Sequence, residues 1–136
     1  MDNTLSQKST NQDLVNDIKA VFDSICQAFT DSDIDRALTY FDNSENMVKI
    51  SNGHVLKGKA QLSAYWHQSI GGNKAPNISI KNLKIHKIDE KHVWTTADET
   101  ISFGEQGYKA VVSNILVLTA FGWKILLDHT SPVPSE

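Results

Sequence analysis

The sequence predicts an α+β domain, with three N-terminal helices packed on a mostly antiparallel sheet. Three observations carry that prediction. Apolar residues recur at helical spacing from Leu14 to Phe29, the period changes to strands from Asn46 onward, and short Gly, Asn and Asp turns divide the second half into successive strands. With 136 residues the chain has the size of one domain with one core.

The first helix is read from Leu14, Ile18, Phe22, Ile25 and Phe29, with Val15, Val21 and Cys26 beside them on the same face. Thr10 to Asp13 supplies a hydroxyl and a carboxylate at capping distance, so the helix is expected to open there. The polar stretch before it, residues 1–10, is expected to be a disordered lead-in. Asp31-Ser32-Asp33 then breaks the helix and caps a second, from Ile34 to Phe41.

Met47 to Ser51 and His54 to Leu56 flank Asn52-Gly53, a pair that accepts the two positive φ values of a type I′ hairpin turn. Gly58 caps a third helix, in which Leu62, Tyr65, Trp66, Ser69 and Ile70 share one face, and Gly71-Gly72-Asn73 is expected to end it. Four long strands follow, Asn77 to Ile88, His92 to Phe103, Lys109 to Ala120 and Trp123 to Thr130, joined by short links that suit antiparallel neighbours. The domain is taken as residues 11–131, with 132–136 as a frayed tail.

Several functional classes drop out on composition. A net charge of −3 offers no basic face to nucleic acid or to an anionic membrane, and no apolar run approaches the roughly 20 residues of a membrane helix. The first residues hold no apolar core of a signal peptide, so a cytoplasmic protein is expected. Five scattered histidines lack metal-ligand spacing, and the lone Cys26 sits in an apolar helical pattern as a packing residue with no flanking base. No metal or cofactor is expected.

The strand from Val111 to Leu118 is apolar at almost every position, interrupted only by Ser113 and Asn114. A strand with one wet face should alternate, so both faces read as covered, and a second copy of the chain is the economical cover. A homodimer through that sheet face is therefore expected.

This order of elements, with Gly58 and Tyr65-Trp66 in the third helix and Gly122-Trp123-Lys124-Ile125-Leu126-Leu127-Asp128-His129-Thr130-Ser131 in the last strand, resembles the nuclear transport factor 2-like superfamily, in its SnoaL-like and ketosteroid-isomerase-like branch. The resemblance implies a cone: helices closing a strongly curved, mostly antiparallel sheet around a cavity, with pairing through the convex face. It implies little about reaction, since similar domains serve as isomerases, cyclases, hydrolases, dehydratases, transport adaptors and a kinase association hub. Aligned on Asp33-Ile34, the three acid-base positions of a ketosteroid isomerase fall near Ile25, near Lys49 or Ser51, and on a strand from Lys109 to Ala120 without a carboxylate. Steroid isomerisation is therefore not expected.

Alternation along each strand separates an inward from an outward set. Trp94, Thr96, Asp98 and Thr100 share one face of their strand; Val112, Asn114 and Leu116 share one of theirs; Leu126, Asp128 and Thr130 share a third. Grouped together they read as cavity wall, and similarity to the kinase hub also turns Asp98, Asn114 and Thr130 inward. The opposite set, Val111, Ile115, Val117, Trp123, Ile125 and Leu127, then forms the convex face.

The expected ligand-binding residues are accordingly Trp66, Trp94, Asp98, Asn114, Asp128 and Thr130. Asp98 is the candidate acid or base, since burial in an apolar cone raises a carboxyl pKa; its alternative is a structural pairing that holds the sheet. Asp128 and His129 are adjacent and face opposite ways, which argues against a dyad. The leading reading is a homodimeric domain with a pocket for a small, partly apolar ligand. A cofactor-independent isomerase, cyclase or hydrolase using Asp98 and an association module with a vestigial cavity are the alternatives.

Overall fold

A computed structural model describes residues 3–70 and 75–134, with side chains from residue 11 onward. Its order is α1 (Asn3–Thr30), α2 (Ile34–Leu38), β1 (Val48–Ser51), β2 (His54–Lys57), α3 (Gly58–Ile70), β3 (Asn77–Asp89), β4 (His92–Phe103), β5 (Gln106–Thr119) and β6 (Gly122–Pro132). The α+β class and the three helices agree with the sequence reading.

α1 begins at Asn3, ahead of the cap expected at Thr10. Residues 3–10 of the expected disordered lead-in are helical instead, because they contain no Gly or Pro and nothing in them resists propagation from the buried turns that follow. At the other end the amide of Asp33 donates to Ala28 O at 2.8 Å and that of Ser32 to Phe29 O at 2.9 Å, with Ser32 left-handed at φ 54°. This pattern is a Schellman stop built on serine. Asp33 then accepts from the Arg36 amide at 3.1 Å and starts α2.

α2 ends at Leu38, short of the expected Phe41. The chain leaves the helix to pair with the sheet: Ile125 N donates to Tyr40 O and Asp42 N to Ile125 O, both at 2.8 Å. The β1–β2 hairpin turns on Asn52 (φ 51°) and Gly53 (φ 79°), as a type I′ turn requires. The expected helix stop at Gly71-Gly72-Asn73 lies outside the described residues.

One six-stranded sheet runs in the order β2-β1-β6-β5-β4-β3. All neighbours are antiparallel except β1 and β6, which run parallel. The tail is partly held: β6 continues to Pro132, and Val133 N donates to Lys109 O at 2.8 Å.

The ladders carry three register shifts, one near the end of β3 between Lys87 and Asp89 and two that set which residues face the cavity. Of those two, the β3 shift lies between Lys81 and Lys84, with Asn82 left-handed at φ 58°; in the β5–β6 ladder Ile115 pairs Leu127 while Leu116 pairs Ile125, leaving Leu126 as the extra residue. Each bulge reverses which alternate residues face inward. Ile78 and Ile80 therefore share a face with Leu83 and Ile85, and Trp123 and Ile125 share one with Asp128 and Thr130.

Helices and concave face meet in a core of Ile18, Phe22, Phe29, Met47, Leu62, Trp66, Val93, Leu116 and Ile125. Trp66 is its hub, edge-on to Phe29 at 5.1 Å and to Phe41 at 5.5 Å between centroids. Among the described residues no helix is long and apolar enough to cross a membrane.

Candidate functional site

A cavity of about 230 Å³ lies between the concave sheet face, α1 and α3. Its apolar wall comes from the helices and the outer strands: Phe22, Ile25 and Phe29 from α1, Trp66 and Ile70 from α3, Ile78 and Ile80 from β3, Ile101 from β4. At the mouth stand Tyr65, Phe103 and Tyr108, which are 38%, 54% and 41% exposed, and His54, whose ring centroid is 6.2 Å from that of Tyr65. Polar groups gather on β1, β4, β5 and β6: Lys49, Ser51, Glu99, Asn114, Asp128 and Thr130. Apolar walls with a few converging polar groups are the ordinary build of a small-molecule pocket.

Of the residues expected at the site, the structure brings Trp66, Asn114, Asp128 and Thr130 together on the cavity. It does not bring Trp94 or Asp98 there. The β4–β5 ladder pairs Thr95 with Asn114 and Ala97 with Val112, so the inward set of β4 is Val93, Thr95, Ala97, Glu99 and Ile101. Trp94 lies on the outer face, 41% exposed and stacked on His86 at 4.1 Å. Asp98 is exposed on the same outer face, where it accepts a 2.7 Å hydrogen bond from Asn82 Nδ2. The inversion has a simple cause. The sequence reading takes the mid-strand polar residues of this face as cavity contacts, whereas the face looks outward, where Trp94 is held by a cross-strand stack on His86.

The convex face is corrected in the same way. Ile125 is 1% exposed and Trp123 packs against the core, both turned inward by the Leu126 bulge, while Val111, Ile115, Val117 and Leu127 stay on the outside. Cys26 is also not a core residue. It is half-buried on the cavity wall, and desolvation, with Glu99 and Asp23 adding to it, pushes its thiol up to about 11, so it stays protonated and unreactive at neutral pH.

The carboxylate that the sequence reading missed is Glu99. Burial, followed by the nearby charge of Asp128, pushes its pKa up to about 7, against which Lys49 acts only in part. The signal for it was present in β4, where Val93, Ala97 and Ile101 alternate with polar residues and place Glu99 on the apolar side.

Asp128 is held differently. Its Oδ1 takes a 3.1 Å ion pair from Lys49 Nζ and a 3.2 Å hydrogen bond from Thr130 Oγ1, with the Lys49 and Asp128 side chains 14% and 12% exposed. Asn114 is 2% exposed and donates from Nδ2 to Leu127 O at 3.3 Å. Because that carbonyl can only accept, the amide nitrogen must face it, and Asn114 Oδ1 is left buried without a partner, as is Thr95 Oγ1.

A family model for the SnoaL-like domain matches residues 18–136. The chain belongs to the SnoaL-like family. Solved structures give the same fold. An NTF2-like protein of unknown function from Shewanella oneidensis is 18% identical, covering 86% of this chain and 98% of that one with a TM-score of 0.77. A candidate dehydratase of the NTF2-like family from Streptomyces avermitilis is 16% identical, covering 89% and 97% with a TM-score of 0.77. A candidate calcium/calmodulin-dependent protein kinase type II association domain from Thiobacillus denitrificans is 22% identical, covering 85% and 94% with a TM-score of 0.73. Comparison with curated proteins finds no match. At these identities the likeness concerns fold alone, and this SnoaL-like domain must be read from its own cavity.

Proposed function

We propose that this SnoaL-like domain is a cytoplasmic homodimer whose cone binds a small, partly apolar molecule. The cavity carries the reading: apolar residues line its wall, while Lys49, Glu99, Asn114, Asp128 and Thr130 converge on its polar side. A molecule seated there lays its apolar part against Phe22, Phe29 and Trp66 and its polar part against β4, β5 and β6. Native mass spectrometry of the protein purified from its own host should find a small molecule that leaves on denaturation, and that molecule should raise the melting temperature when added back. A protein that retains nothing and whose melting temperature no apolar-tailed compound moves would remove the reading.

The dimer rests on the outer sheet face. Val111 is 45% exposed and Trp94 41%, beside half-buried Ile115, Val117 and Leu127, an apolar patch that a second copy would cover. Light scattering should give twice the 15.1 kDa of the chain, and Val111→Lys should halve it. A monomer at high micromolar concentration would leave the patch without this explanation.

A second reading, proton transfer on the bound molecule, is favoured by Glu99 and no longer by Asp98. A carboxyl group with a pKa of about 7 facing an apolar cavity can take or give a proton near neutral pH. Glu99→Gln should abolish any such turnover while leaving the fold intact.

A further inference from the structure

The cavity's own charges restrict what can fill it. Among the described lining residues the acids are Glu99 and Asp128 and the full cation is Lys49, with His54 exposed at the rim. Lys49 is already committed, 3.1 Å from Asp128. Among the described residues Glu99 forms no ion pair, and the one cation acting on it is Lys49, which is already paired with Asp128. Around it stand Lys49 from β1, Asp128 from β6, Tyr108 from β5 and Cys26 from α1, with Asp23 beyond on α1. His54 on β2 and Tyr65 on α3 line the same space at its mouth. The thiol of Cys26 and the phenol of Tyr108 are both shifted upward, so neither supplies charge to the site at neutral pH.

A carboxylate beside Ile80 and Ile101 that Lys49 compensates only in part can be relieved in two ways. It can take a proton, which burial already favours, or a ligand can bring a cation. An anionic ligand would set a third negative charge beside Glu99 and Asp128 with Lys49 already paired. A neutral ligand would displace water from Glu99 and offer no charge in return. Tyr65 and Tyr108, exposed at the mouth, are aromatic rings of the kind that attract a cation.

We infer that the molecule this cavity accepts carries a protonated amine at its polar end, paired with the Glu99 carboxylate, and an apolar body against Phe22, Phe29 and Trp66. The inference rests on the pocket reading above and adds the ligand's charge to it. Binding then requires ionised Glu99 and releases its proton wherever the free protein holds one.

Three probes of one framework test this: 2-phenylethylamine, 2-phenylethanol and 3-phenylpropionate, titrated calorimetrically into the full chain. At neutral pH the amine should bind about tenfold tighter than the alcohol, with the propionate weakest. Its affinity should rise by about tenfold between about pH 6 and pH 8, as Glu99 ionises and the amine stays protonated. In Glu99→Gln both the amine preference and its pH dependence should vanish, while alcohol binding, with Trp66 fluorescence in a Trp94→Phe/Trp123→Phe background as reporter, shows the cavity intact. Equal or tighter binding of the alcohol or the propionate would overturn the amine assignment and leave the pocket standing. So would an amine affinity indifferent to pH. If none of the three perturbs the Trp66 environment, pocket and amine fall together.

Discussion

Lys49 and Asp128 are register partners on the parallel strands β1 and β6, and their side chains meet at 3.1 Å on the cavity side of the sheet. That pairing uses the cation that Glu99 would otherwise share. The polar side of the cavity is therefore one ion pair next to one carboxyl that, among the described residues, has no ion-pair partner.

The pair itself can be probed. With both side chains nearly buried, Lys49→Met leaves Asp128 charged and without its partner, which should cost about 3 kcal/mol in urea unfolding. The double variant Lys49→Met/Asp128→Leu should recover most of that loss, because no buried charge remains. Glu99 should at the same time titrate higher in the single variant, since Lys49 is what holds its pKa down. A single variant that loses less than about 1 kcal/mol would show the pair to be solvated.

Glu99 makes stability fall as pH rises. Its folded pKa, about 7, lies above the ordinary glutamate value of 4.5, so between those values the folded state binds more protons than the unfolded state. The stabilisation from the protonated form is fully present at low pH and is lost as pH climbs through 7, an effect of at most about 3 kcal/mol. Unfolding free energies of the wild type and Glu99→Gln, measured across this window, should converge at low pH and diverge above it with the variant the more stable. Parallel profiles would place the Glu99 carboxyl in water.

Much of this arrangement is legible in the residues. Asn52-Gly53 fixes the hairpin, and the Leu14 to Phe29 spacing fixes the buried face of α1, because both signals are local. The inward face of each strand depends on register, and there two bulges intervene. Even so, the break in alternation from Ile78 and Ile80 to Leu83 and Ile85 is visible in the sequence, as is that from Trp123 and Ile125 to Asp128 and Thr130. Glu99 is legible by the apolar alternation of β4, but grouping with polar cavity residues and similarity to the kinase hub point to Trp94, Thr96, Asp98 and Thr100 as the inward face. What could not be read is the pairing across the sheet: nothing in the sequence near Lys49 announces that Asp128 will take it.

Thr95 and Asn114 stand opposite each other in the β4–β5 ladder, each with a buried oxygen that lacks a partner. Thr95→Val removes one of the two at nearly constant shape. The expected result is a higher melting temperature and a gain of up to about 1 kcal/mol, since a buried polar group without a hydrogen bond costs stability. A loss of about 1 to 3 kcal/mol would mean instead that the Thr95 hydroxyl rotates to donate to Asn114 Oδ1.

Asp98 and Glu99 are consecutive residues with opposite surroundings, and that contrast gives the sharpest paired experiment. Asp98 lies exposed on the outer face and accepts from Asn82 Nδ2 at 2.7 Å, at the bulge where Asn82 turns left-handed. Asp98→Asn keeps an acceptor oxygen for that bond, so stability should change by no more than about 0.5 kcal/mol. Binding of the three arylethyl probes should be unchanged, because the strand separates Asp98 from the cavity. Glu99→Gln, one residue on, should by contrast raise stability above neutral pH and remove the preference for the amine. Both variants conserve shape and delete one carboxylate, so any common consequence of net charge cancels between them. Calorimetry and melting curves on the pair then report which face of β4 looks into the cone. If Asp98→Asn were to weaken the amine as strongly as Glu99→Gln does, the β4 register described here would be wrong by one residue.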